Sequence, residues 1–91
     1  MMGLRTVYGM VTVVDAKERE LRLKETELTF CRVCCGETTR ILGAEGEALP
    51  LEELQAGDEV KAELVEEGGR AHLKRLVVLR PAWKTLTSFE S

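Results

Sequence analysis

Residues able to do chemistry are few in this chain. Three cysteines, Cys31, Cys34 and Cys35, fall inside the stretch LTFCRVCCGETT, and the one histidine, His72, lies far downstream. Thiolate sulfur and imidazole nitrogen are ligands for zinc and for Cu(I). In a regular strand Cys31 and Cys35 point to one side and Cys34 to the other. Positions four apart on a flat strand are ~13 Å from each other, whereas zinc–sulfur bonds are ~2.3 Å. A Cys₃His zinc site built from Cys31, Cys34, Cys35 and His72 therefore needs a sharp turn at Arg32 and Val33, with the strand carrying His72 alongside. A Cu(I) site needs only two or three soft donors. A zinc knuckle puts glycine directly after C-x-x-C; here Cys35 holds that slot and Gly36 follows one position late. A redox C-x-x-C needs a helix N-terminus to lower one thiol pKa, and nothing helical follows Cys34. Against all of these stands packing, because cysteine behaves as a small hydrophobe. The expectation is that sulfur mainly fills space.

Other chemistry is sparse. The chain has no phosphate-binding glycine loop, no H-E-x-x-H and no nucleophile elbow. Its carboxylates crowd loops and a solvent face, and His72 stands between Arg70 and Lys74 on a surface strand. No enzyme is expected. Single-stranded nucleic acid is a second binding possibility, with Arg22, Lys24, Arg32 and Arg40 lining a groove. Such grooves combine cations with exposed aromatic rings. Phe30 is the aromatic residue on the strands concerned, and its pairing with Leu28 places it in the core. The net charge of −3 also disfavours a polyanion.

The elements that must hold these residues read as one domain of 91 residues, 44% hydrophobic and 32% charged, the composition of a folded globular chain. Residues 1–80 are expected to form the domain and residues 81–91 a loose tail, with Trp83 and Phe89 able to dock. No apolar run approaches the ~20 residues of a membrane helix, so no membrane is expected. No secretory signal is visible in MMGLRTVYG. An odd set of clustered cysteines fits a reducing compartment, so the expected location is cytoplasmic. Charge is uneven: nine acids and one base lie between Gly43 and Glu67, then five bases and one acid from Gly68 to Ser91. Adjacent strands attracting across a ladder account for this.

Alternation of side chains predicts five strands. TVYGMVTVVD is β-branched, with Val7, Gly9, Val11 and Val13 on one face and a mid-strand glycine that marks a bend or close backbone approach. ELRLKE turns Leu21 and Leu23 inward. LTFCRV follows, interrupted at Gly36 and at Thr38–Thr39, with RIL as a separate short piece. In EVKAELVEE, Val60, Ala62 and Leu64 face in. EGGR is a two-residue hairpin turn. In AHLKRLVVL the apolar parity shifts between Leu73 and Leu76, which predicts a bulge near Lys74 and Arg75. Between strands three and four, Pro50 starts one helical turn, LEEL, whose Leu51 and Leu54 plug the sheet; Asp58 is placed to bond nearby amides. A meander of three strands followed by a hairpin in so short a chain predicts an all-β, five-stranded OB-like barrel, closed so that it has no exposed edges.

These residues also carry a resemblance. VYGMVTVVDAKERELRL is similar to the opening of small bacterial OB-like domains, in which a glycine inside strand one precedes V-x-x-V-D. TTRILGAEGEALPLEELQAGDEVKAEL resembles their second half, with L-x-x-L-x-x-G-D-x-V. The resemblance spans residues 7 to 79 and implies the barrel. A related branch is the small periplasmic copper- and silver-carrying chaperones, whose ligands are methionine, histidine and tryptophan on strands two and three. Those strands here have none of the three: Met10 is on strand one, His72 on strand five and Trp83 beyond the barrel. No ligand carries over, although the cysteines fall in the same region.

The function expected is a non-catalytic binding or accessory module for an unidentified protein or small ligand. The alternatives are a thiolate Zn or Cu(I) carrier or sensor, and a weak binder of single strands.

Overall fold

The computed structural model describes residues 3–26 and 29–82. Five strands form in chain order: β1 (Gly3–Asp15), β2 (Glu20–Thr26), β3 (Thr29–Leu42), β4 (Glu59–Glu67) and β5 (Arg70–Arg80). They close into a barrel in the order β1-β2-β3-β5-β4. The three-strand meander and the β4–β5 hairpin are both present. The hairpin's ends join them, β4 pairing antiparallel with β1 and β5 pairing parallel with β3.

Strand β1 serves two neighbours. Its first part pairs with β4 and its second with β2, and Met10 stands opposite both Glu59 and Lys24. Gly9 lies at this handover, and a Cβ there would stand 2.6 Å from the Lys24 carbonyl oxygen. The close approach expected from a mid-strand glycine is therefore backbone against backbone. The pairing with β2 shifts between Val11 and Val13. This bulge turns Val13 outward, 43% exposed, and packs Val14 against the core. Strict alternation had put Val13 inside.

The core is the lumen: Val7, Val11, Leu21, Leu23, Val33, Val60, Leu64, Leu73 and Leu76 are all buried. A 3₁₀ turn, η1 (Leu51–Glu53), follows Pro50, and the buried Leu51 and Leu54 close one end. Asp58 is the buried charged residue of the described chain. Its Oδ2 accepts the Gln55 N–H at 2.9 Å and its Oδ1 the Ala82 N–H at 2.8 Å. One carboxylate thus ties the η1 loop to the chain leaving β5. Trp83 and Phe89 lie outside the described residues.

Two sequence expectations about strand shape meet different fates. The β4–β5 register slips between Glu63 and Leu64, which sets Lys74 as the extra residue where the parity of β5 changes. The turn is made by Gly68 and Gly69 at φ 59° and 78°, values a two-residue hairpin requires. By contrast, β3 is one strand of 14 residues, not two pieces. Thr39 makes the difference. Its hydroxyl accepts the Gly36 N–H at 2.9 Å and donates to the Leu73 carbonyl at 2.6 Å, carrying the strand through the segment where its ladder with β5 slips. The β4 acids do face the β5 bases, with Glu59 opposite Arg80, Glu63 opposite Arg75 and Glu67 opposite Arg70.

Candidate soft-metal site

Because β3 stays extended through the cysteines, its pleat divides them. Cys35 points into the lumen and is 5% exposed. Burial pushes its thiol up to about 11, with Arg19 opposing the rise. Cys31 is opposite the buried Leu23 and half-buried, packed against the core at the barrel's open end. Arg5 Nη2 donates to its Sγ at 3.5 Å while the same guanidinium pairs with Glu66 at 3.2 Å. Burial raises this thiol as well, with Arg5 opposing and Glu25 and Glu66 adding to the rise. Cys34 takes the outer face, where it is half-buried.

His72 is where the zinc-site reading needed it, on a strand alongside β3. The parallel ladder sets it directly opposite Cys34, and it is exposed. Residues opposite each other on neighbouring strands share a face at ~5 Å spacing. The structure thus brings together Cys34 and His72. It leaves Cys35 in the lumen, while Cys31, of inward parity but half-buried, lines clefts with Phe30 and Arg32. Among the described residues no three His, Cys, Asp or Glu side chains are grouped as a shared metal ion would need. No turn at Arg32 and Val33 draws the sulfurs together, because both residues are paired in regular register with β2.

Cys34 lies at the edge of a shallow groove. Glu20 is opposite Cys34 on its other side, and its Oε1 is held by Arg32 Nε at 3.0 Å. A groove of about 380 Å³ runs from Cys34 and Glu20 past Arg32 and Arg70.

The four cations picked out as a nucleic-acid groove divide three to one. Arg22 is opposite Arg32, and Lys24 is opposite Phe30, all on the outer face of the β2–β3 wall. Arg40 lies apart, opposite Arg75 on β5. Phe30 is the correction: it is 62% exposed, not in the core. Its parity with Arg32 and Cys34 sends it outward, and the partner used to place it inward, Leu28, lies outside the described residues.

The described residues contain no helix long and apolar enough to cross a membrane. No family model matches the chain, and no curated protein sequence matches it. Solved structures do. Silver-bound CusF superposes with a TM-score of 0.66 at 16% identity, covering 84% of this chain and 97% of that one. Metal-free CusF from Escherichia coli gives 0.66 at 15% identity, over 86% of this chain and 89% of that one. A tryptophan-to-alanine variant of the Escherichia coli protein with Cu(II) gives 0.65 at 16%, over 82% and 90%. The small OB-like barrel expected from the sequence is shown, as is its distant kinship in form with the copper and silver chaperones.

The cytoplasmic expectation is corrected by the same finding, since these neighbours are periplasmic proteins. Cysteine count misleads here for a geometric reason. Cys34 and Cys35 point to opposite faces, and Cys31 and Cys35 are ~13 Å apart along the strand. Disulfides need Cα atoms within about 7 Å and converging Cβ vectors. These thiols cannot pair within the chain in any compartment, so their freedom reports nothing about where the protein resides. What the chain is similar to is a barrel solved with silver, with Cu(II) and without metal.

Proposed function

We propose that the chain is a non-catalytic carrier of a soft monovalent ion, Cu(I) or Ag(I), held between Cys34 Sγ and the His72 imidazole. The observation that carries this reading is the β3–β5 register, which sets the outward thiol of Cys34 directly opposite the chain's one histidine. Thiolate and imidazole are the donors that soft d¹⁰ ions select. Two donors do not satisfy zinc, which in structural sites takes four in a tetrahedron. Ag(I) in neighbours that share the barrel supports the same class of cargo. The site is open to solvent on the His72 side, as a carrier that must release its ion requires.

The test is competition for Ag(I) or Cu(I) against a chromophoric chelator, under reducing conditions and without oxygen. Cys34→Ser and His72→Ala should each abolish competition, while Cys35→Ala should leave it unchanged. Retention of full affinity by the Cys34→Ser, His72→Ala double variant removes the reading.

A further inference from the structure

The surface beside the Cys34–His72 pair is not a neutral wall. Walking along β3 away from Cys34, the outward residues are Arg32 and then Phe30. Along β5, Arg70 precedes His72 by two residues. Arg32 and Arg70 together line the groove that reaches Cys34. A second cleft, of about 480 Å³, has Arg5, Phe30, Cys31, Arg32 and Arg70 in its lining. A third, of about 230 Å³, lies between Arg22, Phe30, Cys31 and Arg32. The three clefts share Arg32 in their linings, with Cys34 in the first and the exposed Phe30 in the other two. Arg32 is paired with Glu20. Arg22 and Arg70 have no carboxylate within ion-pair distance among the described residues.

We infer that this face, centred on Phe30 and flanked by Arg22, Arg32 and Arg70, docks a partner protein presenting carboxylates around an apolar pocket, next to the place where the ion is exchanged. The exchange part of this inference rests on the metal reading above; the docking part does not. Exposed aromatic and arginine side chains are the residue types that dominate protein interfaces. An aromatic ring supplies apolar area, and unpaired guanidinium groups bind carboxylates in a fixed two-pronged geometry. The choice of an acidic protein over a nucleic acid follows from the acids in the same surface. Glu20, Glu66 and Glu67 line these clefts, and a continuous phosphate chain would run across them. A protein surface can place discrete carboxylates at Arg22 and Arg70 and leave the acids of this face in water. Distance from the sulfur is short enough for transfer, since Arg32 and Cys34 are ~7 Å apart on one face of one strand.

The docking test needs no metal. Two fluorescein-labelled peptides are titrated with the whole protein by anisotropy, each with one leucine, one flanked by glutamates and the other by lysines. The glutamate peptide should bind, and binding should weaken on raising salt from about 20 to 300 mM because the attraction is screened. The Arg22→Glu, Arg70→Glu double variant should abolish that binding, and Phe30→Ala should weaken it by about tenfold, the scale of a buried interface anchor. Cys34→Ser should leave it unaltered. Equal binding of both peptides, or no effect of Phe30→Ala, overturns the inference. Tighter binding of a labelled oligo-dT than of the glutamate peptide also overturns it and assigns the face to single strands. Failure of the metal reading is seen separately, as full Ag(I) affinity in the Cys34→Ser, His72→Ala variant.

Discussion

Cys34 and His72 face each other across the parallel β3–β5 ladder, although 38 positions separate them in the chain. The two residues become ladder partners because the barrel closes, with β5 returning alongside β3 and not beside a neighbour in sequence. An Ag(I) ion held by the proposed pair would compete with protons for its donors. Affinity for Ag(I) is thus expected to fall as pH is lowered from 8 to 6, in the native chain and in Cys35→Ala alike. Chelator competition at fixed ionic strength measures it.

The three thiols should react in a set order. Cys34 faces outward, Cys31 is half-covered with its thiol raised by burial, and Cys35 is enclosed. Since the thiolate is the nucleophile, iodoacetamide at pH 8 should label Cys34 first and Cys35 only on unfolding. Mass spectrometry of timed digests reads the order, and prior loading with Ag(I) should protect Cys34 selectively.

Cys35 couples barrel stability to alkaline pH. Its folded pKa, about 11, exceeds the ordinary value of 9.0 because burial penalises the thiolate. A group with a raised folded pKa holds its full contribution below the unfolded pKa and loses it as pH rises through the folded one. Stability should therefore decline as pH rises from 9 towards 11, by on the order of 1–2 kcal/mol once partial solvent screening of the thiolate is allowed for. Urea midpoints at pH 8 and pH 10.5 should differ more for the native chain than for Cys35→Ala.

Gly9→Ala should destabilise the barrel without touching the metal pair. The new methyl would meet the Lys24 carbonyl oxygen at 2.6 Å and its carbon at 3.2 Å, both backbone atoms of the adjoining strand. Overpacking of this kind costs about 1–3 kcal/mol. Chemical denaturation gives the value, and an unchanged midpoint would mean that β1 and β2 are less tightly coupled than their geometry shows.

Asp58→Ala should remove the acceptor for two N–H groups, those of Gln55 and Ala82. Both bonds are part-buried, so water can replace the lost acceptor in part and the cost is about 0.5–1.5 kcal/mol for each. Hydrogen exchange should quicken at both amides together, and Asp58→Asn, which keeps one carbonyl oxygen, should retain protection at only one of them.

Much of this protein was written into its sequence. Period-two alternation located all five strands, the paired glycines made the β4–β5 turn, and the parity change after Leu73 marked the bulge at Lys74. Pro50 and the two leucines after it marked the 3₁₀ plug. Each of these signals is local, set by residues within a few positions of one another. The errors lie where a neighbour on another strand decides. Val13 turned outward because its pairing with β2 slips; Phe30 is the exception, since its parity with Arg32 and Cys34 along β3 already sends it outward. A continuous β3 depended on Thr39 reaching the Leu73 carbonyl. The site belongs to the same class. Parity alone separated Cys34 from Cys31 and Cys35, but the choice of His72 as its companion required closure of the barrel. Side-chain alternation is a property of one strand, whereas register is a property of two, and only the folded sheet brings the second strand into place.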